Sequence, residues 1–147
     1  MTKLMGFILG LTLAITAKAQ NFTTEQSNAS LKYFNGQVVA ELTWLKQPVV
    51  GQKNQLKIDL KTANGQPYEL DASDLKAGLF MTDMPDMGTS QQGVVAVADP
   101  SGNPLPGSFM INAMKLSMGG NWTLLLALPN PDGSGKTETQ KFQFSTH

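Results

Sequence analysis

The sequence predicts an all-β protein, an immunoglobulin-like antiparallel sandwich of about seven strands. Three observations predict this fold class. Apolar and polar residues alternate with a period of two in several short runs, which is the pattern of half-buried strands. Turn signals separate these runs. The prolines all fall at run ends or in loops, where they interrupt no strand ladder. Short strands at this spacing are typical of two antiparallel sheets packed face to face.

The first three predicted strands lie before residue 82. Run 37–45 alternates and contains a tryptophan that would fill space between the sheets. Run 55–61 alternates leucine and isoleucine with lysines and an aspartate. The dipeptide Asn64-Gly65 predicts a tight turn, because both residues tolerate positive φ. Run 74–81 follows and ends at a methionine.

The remaining four predicted strands have equally clear boundaries. Run 93–98 is rich in valine and alanine and is followed by an Asp-Pro-Ser-Gly turn. Runs 108–118 and 122–128 are separated by Gly119-Gly120, and the second begins with another tryptophan expected between the sheets. Run 137–145 alternates through two phenylalanines.

The chain divides into three predicted parts. Residues 1–19 resemble an export signal, with an early lysine, an apolar stretch over 5–15 and the small-x-small cleavage site Ala17-Lys18-Ala19. The apolar stretch is shorter than the roughly 20 residues that cross a bilayer, so we expect no stable membrane insertion after cleavage. A retained anchor is the alternative. Residues 20–35 form a polar lead, and residues 36–147 form the domain. The expected location is the periplasm.

Charge excludes one class of partner. The chain has no arginine, and after signal removal nine lysines face eleven acids, which gives a net charge of about −2. Nucleic-acid binding normally requires a basic patch, and none is visible, so we expect no nucleic-acid partner.

Methionine is the distinctive residue of this chain. The six methionines that remain after the signal all lie between residues 81 and 118, and the chain contains no cysteine. The first group is Met81, Met84 and Met87, whose spacing of three does not suit a strand. Pro85 and Gly88 predict a loop there. The second group has spacings of four, so on a strand its members would share one face. The second group is Met110, Met114 and Met118.

Thioether sulfur is a soft, uncharged donor that favours Cu(I). If the loop folds over the neighbouring strand, a Cu(I) site of roughly two to four thioethers would form. The candidate ligands are Met84, Met87 and Met118, with Met110 or Met114 in reserve. Two other interpretations stay open: methionines also fill irregular cores, and an exposed methionine patch can bind a partner protein.

Little else in the sequence suggests chemistry. The single histidine, His147, is the last residue, so no Ser-His-Asp grouping and no zinc site of the usual Cys/His type can be assembled. No phosphate-binding glycine motif occurs. We therefore expect a protein that is not an enzyme.

Several motifs resemble one known family. They begin with the stretch 44–56, which reads WLKQPVVGQKNQL, and with Asn64-Gly65-Gln66-Pro67. More specific are the loop Met84-Pro85-Asp86-Met87-Gly88 and the turn Met118-Gly119-Gly120-Asn121-Trp122. Together they resemble the YtkA-like and FixH-like domains, small exported or membrane-anchored bacterial β-sandwiches. The resemblance covers about residues 36–145.

The resemblance implies an immunoglobulin-like fold and a link to copper or heavy-metal handling, including oxidase maturation. Family members often carry a histidine just after Met-Gly, where this chain has Thr89-Ser90. That departure favours Cu(I) over Cu(II). The sequence as a whole predicts an exported, non-enzymatic domain that binds or passes on Cu(I). The alternative is a metal-free accessory subunit of an envelope complex, such as an efflux system or an oxidase assembly.

Overall fold

The alternating runs of the sequence form nine strands in the computed structural model, which describes residues 28–146. Besides strands, this part of the chain contains three short 3₁₀ helices, Phe34–Gly36, Ala72–Asp74 and Pro85–Met87. No helix within it is long and apolar enough to cross a membrane. The strands are β1 (Asn28–Tyr33), β2 (Val38–Trp44), β3 (Lys53–Thr62), β4 (Lys76–Met81), β5 (Ser90–Gln92), β6 (Val95–Ala98), β7 (Pro104–Lys115), β8 (Gly120–Pro129) and β9 (Thr137–Thr146).

The strands form two antiparallel sheets, which confirms the predicted fold class. One sheet has five strands in the order β1-β2-β3-β7-β6, and the other has four in the order β9-β8-β4-β5. The chain changes sheet between β3 and β4, between β5 and β6, and between β7 and β8. The last of these crossings, 116–119, joins the two sheets at one end of the sandwich.

The core lies between the sheets because each strand buries one face. In β3, Leu56, Ile58 and Leu60 are all fully buried, as their alternation with polar residues predicts. Each such side chain contributes about 1.5–3 kcal/mol relative to an exposed one. Trp44 and Trp122 are buried too, which confirms their predicted position between the sheets.

Two of the nine strands were not predicted, which corrects the expected number of about seven. Strand β1 lies within residues 20–35, which the sequence suggests are a polar lead. It pairs with β2 along its whole length, and its half-buried Ala29 and Leu31 alternate with the exposed Asn28, Ser30 and Lys32. The second is β5, a three-residue edge strand too short to give a period. The predicted signal, residues 20–27 and His147 lie outside the described residues.

A bulge in β7 overturns one expectation about the methionines. Asn54 of β3 pairs with Met114, whereas Leu56 pairs with Ile111, so that two steps along β3 match three along β7. The extra residue inverts the alternation beyond it. Ile111 faces the core before the bulge and Met114 faces it afterwards, while Met110 lies on the outer surface, level with Lys57. The prediction that Met110, Met114 and Met118 share one face is therefore wrong.

Candidate functional site

Exposed apolar side chains concentrate at one end of the sandwich. Seven large apolar side chains are exposed within the described residues, and five of them lie in the three connections that meet at this end. These connections are 45–52 between β2 and β3, 82–89 between β4 and β5, and 116–119 between β7 and β8. We call this end of the sandwich the methionine end. Its five exposed large apolar side chains are Leu45, Val49, Met84, Met87 and Met118.

The first methionine group is held by two successive tight turns. The backbone N–H of Met84 donates to the carbonyl oxygen of Met81, and the N–H of Met87 donates to that of Met84, each at 3.1 Å. Turns of this kind bring Cα atoms three residues apart to within about 7 Å. Pro85 begins the 3₁₀ helix, where its fixed φ fits and no N–H is needed, and Gly88 ends it at a φ of 90°. The spacing of three thus keeps these methionines near one another.

Met118 is brought to the same place by the pairing of β4 with β8. Met81, the last residue of β4, pairs with Trp122 near the start of β8. The indole Nε1–H of Trp122 donates to the carbonyl oxygen of Met118 at 3.1 Å. A Cβ atom on Gly120 would lie 3.1 Å from the Cε methyl of Met81, so the end of the Met81 side chain lies close against this backbone. Met81 therefore connects the loop of the first methionine group to the segment that carries Met118.

The third connection completes a continuous surface. The N–H of Gly51 donates to the carbonyl oxygen of Leu116 at 2.9 Å, which joins connection 45–52 to the segment before Met118. The side chain of Asn54 reinforces this junction, because its amide donates to the carbonyl oxygen of Met114 at 3.1 Å. Its Oδ1 accepts the N–H of Val49 at 2.8 Å. The segment of Met118 thus lies between the connection carrying Val49 and the loop carrying the first methionine group.

The six methionines differ sharply in exposure. Met87 is 63% exposed, Met118 40% and Met84 37%. Met114 is fully buried in the core. Since three sulfur-bearing side chains reach the surface, the scaffold interpretation, in which every methionine fills the core, does not describe this protein. Met114 and Met110, held in reserve as ligands, do not lie with the exposed group.

One residue of the site was missed in the choice of ligands. Met81 is 7% exposed, so it packs in the core at the base of the loop, next to Gly120. The signal was present in the sequence, because residue 81 has the same spacing of three from Met84 as Met84 has from Met87. The methionines in or directly beside loop 82–89 and connection 116–119 are Met81, Met84, Met87 and Met118.

The donors at the methionine end are soft. Within residues 28–146, no group of three or more His, Cys, Asp or Glu side chains is arranged to hold a metal ion. Asp83 lies in the loop, but its Oδ2 accepts a hydrogen bond from the amide of Asn121 at 3.2 Å, which ties the loop to β8. Uncharged thioether donors suit a soft monovalent cation such as Cu(I) better than a hard divalent one.

No protein-family model, curated protein or solved structure matches this chain. The resemblance to YtkA-like and FixH-like domains stays a prediction.

Proposed function

We propose that this protein is a non-enzymatic copper-binding domain of the cell envelope that holds or passes on Cu(I) through thioether sulfur. The ligands are Met84, Met87 and Met118, with Met81 beneath them. The single observation that carries the proposal is that three exposed methionines lie at one end of the sandwich, with the buried Met81 at the base of their loop. Cu(I) needs no charged ligand, so an uncharged thioether set suffices.

Exposure of the ligands suits transfer more than storage. Met87 is the most exposed methionine of the set, so donor atoms of a second protein can approach the ion from the solvent side. Met81 is anchored in the core and stays with the domain. Residues 1–19 direct the chain to the periplasm in this proposal, an oxidising compartment where thioethers, unlike thiols, form no disulfides. The amino-terminal residue of the purified protein tests that step.

The test is retention of Cu(I) against a competing Cu(I) chelator under anaerobic, reducing conditions. We expect the purified protein to retain copper, and the double variant Met84→Leu with Met87→Leu to lose it. Leucine keeps the volume and removes the donor, so each substitution costs less than about 1.5 kcal/mol of stability.

The matched control removes the two methionines outside the exposed group, the buried Met114 and the half-buried Met110. Met110→Leu with Met114→Leu deletes as many sulfurs but leaves the exposed group intact, so copper retention should be unchanged. Absence of retention in the wild type, or equal retention in Met84→Leu with Met87→Leu, contradicts the proposal.

A second candidate function is a metal-free interaction module, an accessory subunit of an envelope complex. The observation that favours it is that Leu45 and Val49 are exposed beside the methionines, although neither can bind a metal. Two double variants distinguish the two functions. In an interaction module, Leu45→Ser with Val49→Ser abolishes partner capture, whereas Met84→Leu with Met87→Leu preserves it.

A further inference from the structure

The charges around the methionine end are segregated by sheet. On the side of the five-stranded sheet, Lys46, Lys53 and Lys115 are exposed in or beside connections 45–52 and 116–119. On the side of the four-stranded sheet, loop 82–89 carries the exposed Asp83 and Asp86. The exposed apolar side chains lie in the same connections, beside these two charged borders. An apolar centre with a polar, charged rim is the usual arrangement of a protein interface.

The basic border contains an unfavourable pair. Lys53 and Lys115 are directly opposite each other at the last paired position of β3 and β7, and both are exposed. Like charges opposite each other on neighbouring strands are destabilising. The ion pairs of the described residues join Lys57 to Asp59 and Lys61 to Glu41, so neither Lys53 nor Lys115 has an acidic partner there. An acidic group from outside the domain would relieve this repulsion.

We propose that the methionine end is a self-association surface at which two copies of this chain meet around a two-fold axis lying in the plane of that surface. Such an axis sets the acidic border of one copy against the basic border of the other, twice, and brings the two apolar centres together. A second copy supplies both signs of charge in the required positions. An anionic lipid surface would match the lysines but would be repelled by Asp83 and Asp86.

This association does not depend on the copper proposal, since no metal takes part in it. It does extend that proposal, because the symmetric contact brings the exposed thioethers of both copies to the same interface. Two copies would then enclose ligands that a single copy leaves open to solvent.

The experiment is sedimentation equilibrium of the metal-free protein over a range of concentrations, with two charge-reversal variants. The first is Lys53→Glu with Lys115→Glu, and the second is Asp83→Lys with Asp86→Lys. Wild type should dimerise. Each variant alone should self-associate about tenfold or more weakly than wild type, because the net charge of its two borders then has the same sign. A mixture of the two should form a one-to-one heterodimer.

Controls separate this proposal from the fold and from copper. Lys76→Glu with Lys136→Glu changes the net charge by the same amount as Lys53→Glu with Lys115→Glu, but at the opposite end of the sandwich. It should dimerise as wild type does. Met84→Leu with Met87→Leu keeps the apolar surface and should dimerise even though it loses copper. A wild type that stays monomeric, or a mixture that forms no heterodimer, overturns the proposal. A monomeric wild type would point to a different protein as the partner of the methionine end.

Discussion

Replacing Asn54 with alanine should destabilise the domain by about 3 kcal/mol. The Asn54 Oδ1 accepts the N–H of Val49 at 2.8 Å, and its amide Nδ2, which has two N–H groups, lies 3.1–3.2 Å from the carbonyl oxygens of Val49, Gln52 and Met114. Val49 and Gln52 are exposed, so their backbone groups can bind water in the variant; the bond from Val49 and the one N–H shared by the two exposed carbonyls cost about 0.5–1 kcal/mol each. The bond to Met114 is buried, and an unpaired buried carbonyl costs about 1–3 kcal/mol.

Urea unfolding followed by tryptophan fluorescence measures this loss. We expect a lower midpoint with an unchanged m value, because the variant buries nearly the same surface. Gln55→Ala is the matched control, since Gln55 is the next residue and its side chain bonds only an exposed Asn112 at 3.4 Å. That control should stay within about 0.5 kcal/mol of wild type.

A second variant separates polarity from packing. Asn54→Asp keeps the volume and can still accept the N–H of Val49, but it turns a carboxylate towards three carbonyl oxygens. It should lose at least as much stability as alanine does. If Asn54→Ala costs less than about 1 kcal/mol, or no more than the Gln55 control, then the side chain does not hold connection 45–52 and the reasoning fails.

Two further predictions concern the rest of the fold. Gly107 has a φ of 73°, and a Cβ there would lie 2.7 Å from a backbone oxygen of β3, so Gly107→Ala should cost about 2–5 kcal/mol. Gly65→Ala, at a φ of 83° but with open space, should cost only about 1–2 kcal/mol, as measured by urea unfolding. Burial of Tyr33, and then the charge of Glu138, raise the pKa of its hydroxyl above the usual 10.0. The neutral hydroxyl therefore stabilises the folded state below that pH, and this contribution should be lost as the pH rises beyond it. Tyr33→Phe should cost about 1 kcal/mol at neutral pH and show a smaller alkaline loss in pH-dependent thermal unfolding; equal alkaline loss in both proteins would contradict this.

The strands were predictable wherever one face is buried and the other is polar. The period of two in run 55–61 reports directly which residues of β3 face the core. Strand β1 was missed because its inward Ala29 is small, which leaves Leu31 and Tyr33 as its large inward side chains. A strand is also recognised more easily when it is central, since an edge strand such as β5 needs few apolar residues.

The bulge in β7 could not be predicted from the sequence. Residues 112 and 113 are asparagine and alanine, which suit either face, so nothing in the sequence marks where the alternation reverses. The one inserted residue places Met114 in the core and Met110 on the outer surface, so these two candidate ligands lie on opposite faces of the sheet. Spacing along a strand predicts a shared face only if the ladder is regular between the residues.

In the loop of the site, by contrast, the spacing was informative, but only together with knowledge of the local backbone conformation. A spacing of three means little on a strand, yet in consecutive three-residue turns it aligns successive side chains. Pro85 and Gly88 identify the segment as a loop, but they do not reveal that the turns begin at Met81, inside β4. Because Met81 belongs to both the core and the loop, the position of the exposed methionines is tied to the packing of the sandwich. A substitution that loosens the core at Met81 should therefore disturb the methionine end before it unfolds the domain.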